Sequence, residues 1–453
     1  MILVTRILLL AILLLALHAP AARAYDQPSF IRDAEVENSI RAMAAPLLRA
    51  AGLDPAAVHF HILVDPTLNA FVAGGQNEFI HTGLLLRARN ASELLGVIAH
   101  ETGHIAGGHL ARMEGELETA QTEAIVATLL GVAAGAATGR GDAAAAATMA
   151  GQQLAMRQVL AFSRANEAAA DQAGLKFLDA THQSARGMLS FMETLMGEEL
   201  LVTDNQDPYV RTHPLTDDRI AFIRNWVQHS KWSNAPTRPE YDEMFGRMQA
   251  KLYAFLEPPI RTFQRYKASD TSVESRYARA IAAYRKPDLP TALKLIDGLI
   301  DQYPKDPYFE ELKGQMLFEN GHVAEAVGPY QRAVELLPDN ALLRIELGQV
   351  EVEQGTPPLL KDAVVNLEAG VQGEPDNVEG WHLLGMAYGR QGNDALASYA
   401  LAEEALLSGR PGDAAYLAGK ADRLLPVKRG PIWLRIQDIE SRAAEARSNG
   451  SNR

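Results

Sequence analysis

The chain has 453 residues, 47% hydrophobic and 22% charged, with no cysteine and a formal net charge of −13. That length suits about two or three domains, the apolar fraction excludes a disordered chain, and the acidity argues against nucleic-acid binding, which needs a basic patch. Without cysteine, disulfide scaffolds, thiolate zinc sites and cysteine nucleophiles are excluded, so metal or nucleophilic chemistry falls to twelve histidines and the carboxylates.

Residues 1–24 read as a signal peptide. Arg6 precedes the apolar run Ile7–Leu17, and Ala22-Arg23-Ala24 offers small residues at the positions a signal peptidase reads. The run is shorter than the ~20 residues of a membrane span. The expected product is an exported protein, most simply periplasmic.

Residues 25–232 have mixed character. Helical spacing over Ser39–Ala51 is followed by Val58–Val64 and Asn69–Thr82, rich in β-branched and aromatic residues and punctuated by Pro66 and Gly74-Gly75. These segments predict a small sheet. Helices are predicted over Ala91–Met113, with Ser92 available as N-cap, and over Met156–Ala180. Residues 124–156 hold a short Ala/Gly-rich apolar run interrupted at Gly139-Arg140-Gly141. They are expected to form a mobile lid or loop near the active site and a point of peripheral membrane contact.

The chemistry centres on His100-Glu101-Thr102-Gly103-His104. Four residues apart on a helix, His100 and His104 lie about 40° apart around the axis, so both imidazoles face one point. Glu101 stands beside them, able to take a proton from an attacking water without being a ligand. A third ligand is needed. His109, nine residues after His100, would lie roughly opposite it on a continuing helix and is expected to pack or hydrogen-bond elsewhere. Glu167 and Asp171, four apart on an alanine-rich helix, are the better candidates. One carboxylate would complete a His-His-Glu site, and the other would receive the second N–H of a ligand imidazole. His213 precedes Pro214 and so belongs to an extended or turn segment. It is expected either to be a loop histidine or to reach the site, as a fourth metal ligand or a transition-state stabiliser. Arg219 is expected to pair with a nearby carboxylate or to lie on the surface.

These segments together resemble the metallopeptidase family that includes the CAAX prenyl proteases, the membrane-bound heat-shock zinc protease and soluble periplasmic relatives. The matching pieces are His100–His109, Ser163-Arg164 through Asp171, Thr212-His213-Pro214 and Asp218-Arg219-Ile220. Asn69–Gly75 and Gly83-Leu84-Leu85 add to them. The resemblance covers about 35–230 and implies an α+β zincin-like (gluzincin) domain with a small sheet and active-site helices. It implies one zinc ion on His100, His104 and Glu167, with Glu101 as general base and Asp171 orienting His100. It also implies an edge strand, Asn69, Ala70, Phe71, Val72 and Ala73, that pairs with extended substrate.

Residues 233–268 read as a linker and connecting helix. From 269 to 430 the chain repeats: Pro304 and Pro338 lie 34 residues apart, Pro375 follows, and Trp381, Leu384, Gly385 and Tyr388 reproduce the first-helix signature of a tetratricopeptide repeat. About four units are expected to stack into an all-α superhelix with a concave groove, closed by a capping helix and tail over 431–453. The whole implies a periplasmic zinc endopeptidase acting on extended or misassembled protein. A protein partner, the outer-membrane β-barrel assembly machinery, would occupy the repeat groove. The alternative is a chaperone or adaptor working through the repeats, its peptidase centre latent.

Overall fold

A computed structural model describes residues 29–113, 115–117, 119, 125, 141–199 and 213–450. The signal-peptide segment, Thr212 and most of the apolar run 124–138 lie outside these residues.

The N-terminal half begins with β1 (Phe30–Ile31) and α1 (Ala34–Ala50), whose N-cap Asp33 accepts from the Val36 amide. The helix therefore starts one turn earlier than its apolar spacing suggests. The strands β2 (His59–Leu63), β3 (Ala70–Ala73) and β4 (Asn77–His81) follow, with left-handed Gly74 and Gly75 turning β3 into β4. The sheet order is β1-β2-β4-β3, so β3 is an edge. β2 and β4 are parallel, and the outer pairs are antiparallel. Phe60, Ile62, Ala70 and Ile80 alternate onto the buried face.

A short α2 (Thr82–Arg87) leads to α3 (Ala91–Gly107). Asn90, not Ser92, caps α3, its side chain accepting from the Glu93 amide, and Gly108 in the left-handed region ends it. The predicted helix to Met113 is thus broken at Gly108, and residues 109–113 turn helical again in a new direction. Next come α4 (Gly141–Ala180), α5 (Arg186–Glu199) and α6 (Asp217–His229). Residues 141–156, expected as part of a lid or loop, are instead the first turns of the 40-residue α4. Among the described residues, no helix is long and apolar enough to cross a membrane.

Residues 233–268 are a packed element rather than a spacer. The helix α7 (Pro239–Leu256) places Tyr241, Phe245, Met248 and Leu252 in the core of the N-terminal half and Ala250 and Ala254 in the first core of the helical array. Gln249 donates to the carbonyls of Leu85, Leu86 and Ala88, just before α3. The junction also holds buried ion pairs. Lys251 lies 2.8 Å from Asp33 and 3.2 Å from Glu311, and Arg247 lies 2.7 Å from Glu35 and also pairs with Asp306. Asp33 and Glu35 belong to the N-terminal half, and Asp306 and Glu311 to the C-terminal helices. Removing either cation would leave buried carboxylates uncompensated.

After α8 (Pro259–Arg265), helices pack in consecutive antiparallel pairs: α9 (Val273–Arg285) with α10 (Leu289–Gln302), α11 (Pro307–Glu319) with α12 (Val323–Leu336), and α13 (Ala341–Gln354) with α14 (Pro357–Gly373). Then come α15 (Val378–Arg390) with α16 (Asp394–Leu407), and α17 (Pro411–Leu424) with α18 (Pro431–Gly450). The closing helix is thus the partner of α17. Within pairs a glycine on the first helix receives a large side chain from the second: Tyr330 against Gly314, Leu367 against Gly348, Leu401 against Gly385.

Candidate metal centre

The helix α3 is buried along most of its length, with Leu94, Val97, Ile98 and Ala99 in the core. Two close approaches fix α4 against it. A Cβ at Gly103 would stand 2.7 Å from the Ala170 carbonyl oxygen, and one at Gly174 would stand 2.9 Å from that of Ala99. Backbone therefore rests on backbone, which sets the height of Glu167 and Asp171 relative to His100 and His104.

Ligand atoms of His100, His104, Glu167 and His213 all lie within 4.8 Å of one another. His100 Nε2 is 3.1 Å from His104 Nε2 and 3.4 Å from His213 Nδ1. The Glu167 oxygens lie 3.4 Å from both His100 Nε2 and His104 Nε2, and 3.2 Å from His213 Nδ1. Three imidazoles and one carboxylate thus turn nitrogen and oxygen toward a single point. This neutral-nitrogen and carboxylate donor set fits zinc. The other nitrogen of His100, Nδ1, lies 2.9 Å from Asp171 Oδ1, which leaves Nε2 for that point.

Arg219 is buried rather than on the surface, and it ties this arrangement together. Its guanidinium contacts Asp171 at 2.6 and 2.9 Å, Glu167 at 3.0 Å and the Pro214 carbonyl oxygen at 2.9 Å. One side chain thus holds a carboxylate of the cluster, the carboxylate behind His100 and the backbone next to His213. Of the two readings of Arg219, pairing with a nearby carboxylate is the one the structure bears out.

His109 stays outside the four-residue donor set, as expected, yet it sits beside that set rather than elsewhere. On a continuing helix it would face away from His100, but the left-handed Gly108 redirects the chain, and His109 Nδ1 comes 3.0 Å from His104 Nδ1. The Gly107-Gly108 pair was the available signal for that turn.

Electrostatics separates the two histidines of the motif. Burial disfavours the charged form of His100, but Asp171 and Glu167 outweigh it and push its pKa up to about 10. Burial dominates at His104, and the His100 charge adds to it, so its pKa falls to about 3. Burial likewise opposes ionisation of Glu167 and Asp171, yet His213, His100 and His104 hold Glu167, and Arg219 and His100 hold Asp171, below the ordinary carboxylate range. Glu101 is pushed up, mainly by burial. Both its oxygens are buried without a hydrogen-bond partner, and its nearest ionic neighbour is His213 Nε2 at 3.6 Å. A cleft of about 220 Å³ opens beside it, lined by Phe71 and Val72 of the edge strand and by Leu110, Met113, Ser163 and Asn166.

Residues 31–227 match peptidase family M48, and residues 277–341 match the tetratricopeptide repeat. The chain carries an M48 peptidase domain. A β-barrel assembly-enhancing protease of Yersinia pestis is 28% identical over 358 residues, 78% of this chain and 72% of that protein. The protein of the same name from Escherichia coli (strain K12) is 26% identical over 403 residues, 86% of this chain and 80% of the relative. A mitochondrial metalloendopeptidase, OMA1 of Schizosaccharomyces pombe, is 26% identical over 195 residues, 41% of this chain and 51% of its own length. The M48 domain makes this chain a zinc metalloprotease followed by a helical repeat array, with proteins as its substrates or partners.

Proposed function

We propose that this chain is a periplasmic zinc endopeptidase that cleaves extended or misassembled outer-membrane proteins, its repeats docking to the β-barrel assembly machinery. The observation that carries the peptidase reading is the convergence of His100, His104, Glu167 and His213 beside the unpartnered carboxylate of Glu101. The names of the Yersinia pestis and Escherichia coli relatives support the substrate and partner. The signal-like pattern of residues 1–24 supports the compartment.

In this reading His100, His104 and Glu167 hold the zinc. When bound there, zinc supplies Lewis acidity, which polarises a peptide carbonyl and makes water nucleophilic near neutral pH. Asp171 accepts the Nδ1 hydrogen of His100 and so fixes the tautomer that presents Nε2. Glu101 accepts the proton of the attacking water and returns it to the leaving amine. Its raised proton affinity suits that exchange. The edge strand β3 aligns substrate main chain along the cleft. His213 turns Nδ1 toward the ligand carboxylate, which favours a fourth-ligand role and a latent resting site over a role in the transition state.

The test is cleavage of an unfolded outer-membrane protein by the purified, zinc-analysed chain. Glu101→Gln should lower turnover by about 10²–10⁴-fold while zinc content and thermal unfolding stay near wild type. His213→Ala should raise turnover; a fall would assign His213 to the transition state instead. Only trace zinc in the purified chain would sink the site.

A further inference from the structure

The face of the sheet turned away from the core carries a continuous aromatic ladder. Phe30 of β1, His61 of β2, Phe79 of β4 and Phe71 of β3 each contribute one ring, one per strand across all four strands. The His61 and Phe79 rings stack at 4.8 Å with 21° between planes, and Phe79 and Phe71 stack at 5.1 Å and 11°. Phe30 closes the far end, 6.2 Å from His61 and 6.4 Å from Phe79. The register makes this a true ladder: His61 stands directly opposite Phe79, and Phe79 directly opposite Phe71. Phe30 is 45% exposed, and the other three are half-buried. A core does not require these rings, because Phe60, Ile62, Ala70 and Ile80 already fill the opposite face.

The ladder ends at the edge strand, where Phe71 also lines the cleft that holds Glu101 and His104. The main chain there has a fixed polarity. The His81 amide donates to the Asn69 carbonyl, so the pairs 69/81, 71/79 and 73/77 are the hydrogen-bonded ones of β3 and β4. Ala70 and Val72 consequently turn their N–H and C=O groups to the open edge. A strand added there pairs through Ala70 and Val72. In antiparallel addition its residue opposite Phe71 occupies a non-hydrogen-bonded position, where side chains approach most closely. Directly opposite residues share a face, so that side chain lands on the outer surface beside the Phe71 ring.

We propose that the added strand extends the ladder, and that Phe71 sets substrate register by stacking on an aromatic side chain of an extended substrate. This deepens the peptidase reading above and rests on it. The substrate class is a strand whose alternate positions carry aromatic residues. Strands of outer-membrane barrels fit in part: they alternate apolar and polar residues with a period of two, and their apolar face carries aromatic residues where it meets the two membrane interfaces. The neighbouring substrate residues face the other way, toward Val72 and the metal side of the cleft. Choice of cleavage position thus comes from a contact on the sheet surface remote from the reacting bond.

The experiment uses the zinc-loaded full chain and peptides sharing one strand-forming sequence, differing only in where a single phenylalanine stands. Cleavage sites are mapped by mass spectrometry and kcat/KM is measured. The ladder predicts that the cut bond keeps a constant offset as the phenylalanine is moved in steps of two. At the favoured offset, kcat/KM should exceed that of the alanine peptide by about fivefold, the size of an aromatic pair. Phe71→Leu, which keeps an apolar side chain, should erase the advantage, whereas Phe71→Tyr should retain it. Cutting without a constant offset, or with the same advantage in Phe71→Leu, overturns the ladder and leaves the peptidase reading standing. A wild-type chain that cuts neither these peptides nor an unfolded protein overturns both. The peptide series needs no variant, so it decides the matter even if Phe71→Leu folds poorly.

Discussion

The metal centre and the repeat array solve opposite packing problems. Around the centre, His100, Glu167, Asp171, His213 and Arg219 come from three separate stretches of chain, and all are buried. They are held by charge and by helices whose backbones touch. In the array, most contacts join helices adjacent in sequence, and in three of the pairs a large side chain of the second helix seats on a glycine of the first. Buried charges are high-stakes: satisfied they rigidify, and half-satisfied they cost several kcal/mol. Apolar knobs are interchangeable within limits of volume. The centre should therefore fail abruptly on single substitutions, and the array should yield gradually.

The largest effect expected of this contrast is at Arg219. Arg219→Ala leaves Asp171 and Glu167 buried without their cation, a loss of about 3–5 kcal/mol. Thermal unfolding should fall sharply, and a chelator should strip zinc faster than from wild type. Arg219→Lys keeps the charge but not the two-pronged grip on Asp171, so it should lie between. Wild-type zinc retention in the alanine variant would mean that backbone contacts alone position the carboxylates.

A second test uses protons. In the metal-free protein His100 has a pKa pushed up to about 10 and His104 one of about 3. At pH 7 the first is charged and the second neutral, while Glu167 and Asp171 are already ionised. Zinc binding at pH 7 should therefore release about one proton, and affinity should rise about tenfold per pH unit below 10. The sign for the metal-free fold is the reverse. A raised histidine pKa stabilises fully below the ordinary 6.5, and that contribution is lost as pH climbs toward 10. Titration calorimetry in buffers of different ionisation enthalpy counts the protons. Release of none would contradict the Asp171–His100 coupling.

The same contrast explains what the sequence made legible. The repeats are readable because their contacts are local: Pro304 to Pro338, and Trp381 through Tyr388, report a period and two faces. His100, Glu101 and His104 are readable because one turn of helix brings them together. Glu167 and Asp171 are readable by residue type and order. Three features are only partly legible, each for a physical reason. A straight helix carries His109 away from the site, and left-handed Gly108 breaks that helix. Arg219 reads as a cation that could pair with a carboxylate, but which carboxylates it grips shows only in space. The helix α7 reads as a connector because Arg247 and Lys251 interrupt its apolar face, yet both are buried against carboxylates of the two halves. Periodicity reports local spacing, not long-range charge pairing.

The smallest effect is the most discriminating, because one substitution type can be placed in both regions. An alanine at Gly103 would put Cβ 2.7 Å from the Ala170 carbonyl oxygen and 3.0 Å from its Cα. Backbone cannot rotate away, so α4 must shift, and Glu167 moves with it. An alanine at Gly348 would put Cβ 2.5 Å from Leu367 Cγ, in a side chain that can turn about its own torsions without moving backbone. Overpacking costs about 1–3 kcal/mol, and replacing a mid-helix glycine returns about 0.5–1 kcal/mol. Gly348→Ala should therefore cost no more than about 2.5 kcal/mol in thermal unfolding and leave turnover unchanged. Gly103→Ala should lose turnover out of proportion to its stability, because a few tenths of an ångström at Ala170 are transmitted to a ligand three residues away. Equal losses of turnover in the two variants would mean that the centre tolerates displacement as the array does, and the contrast between the two regions would not hold.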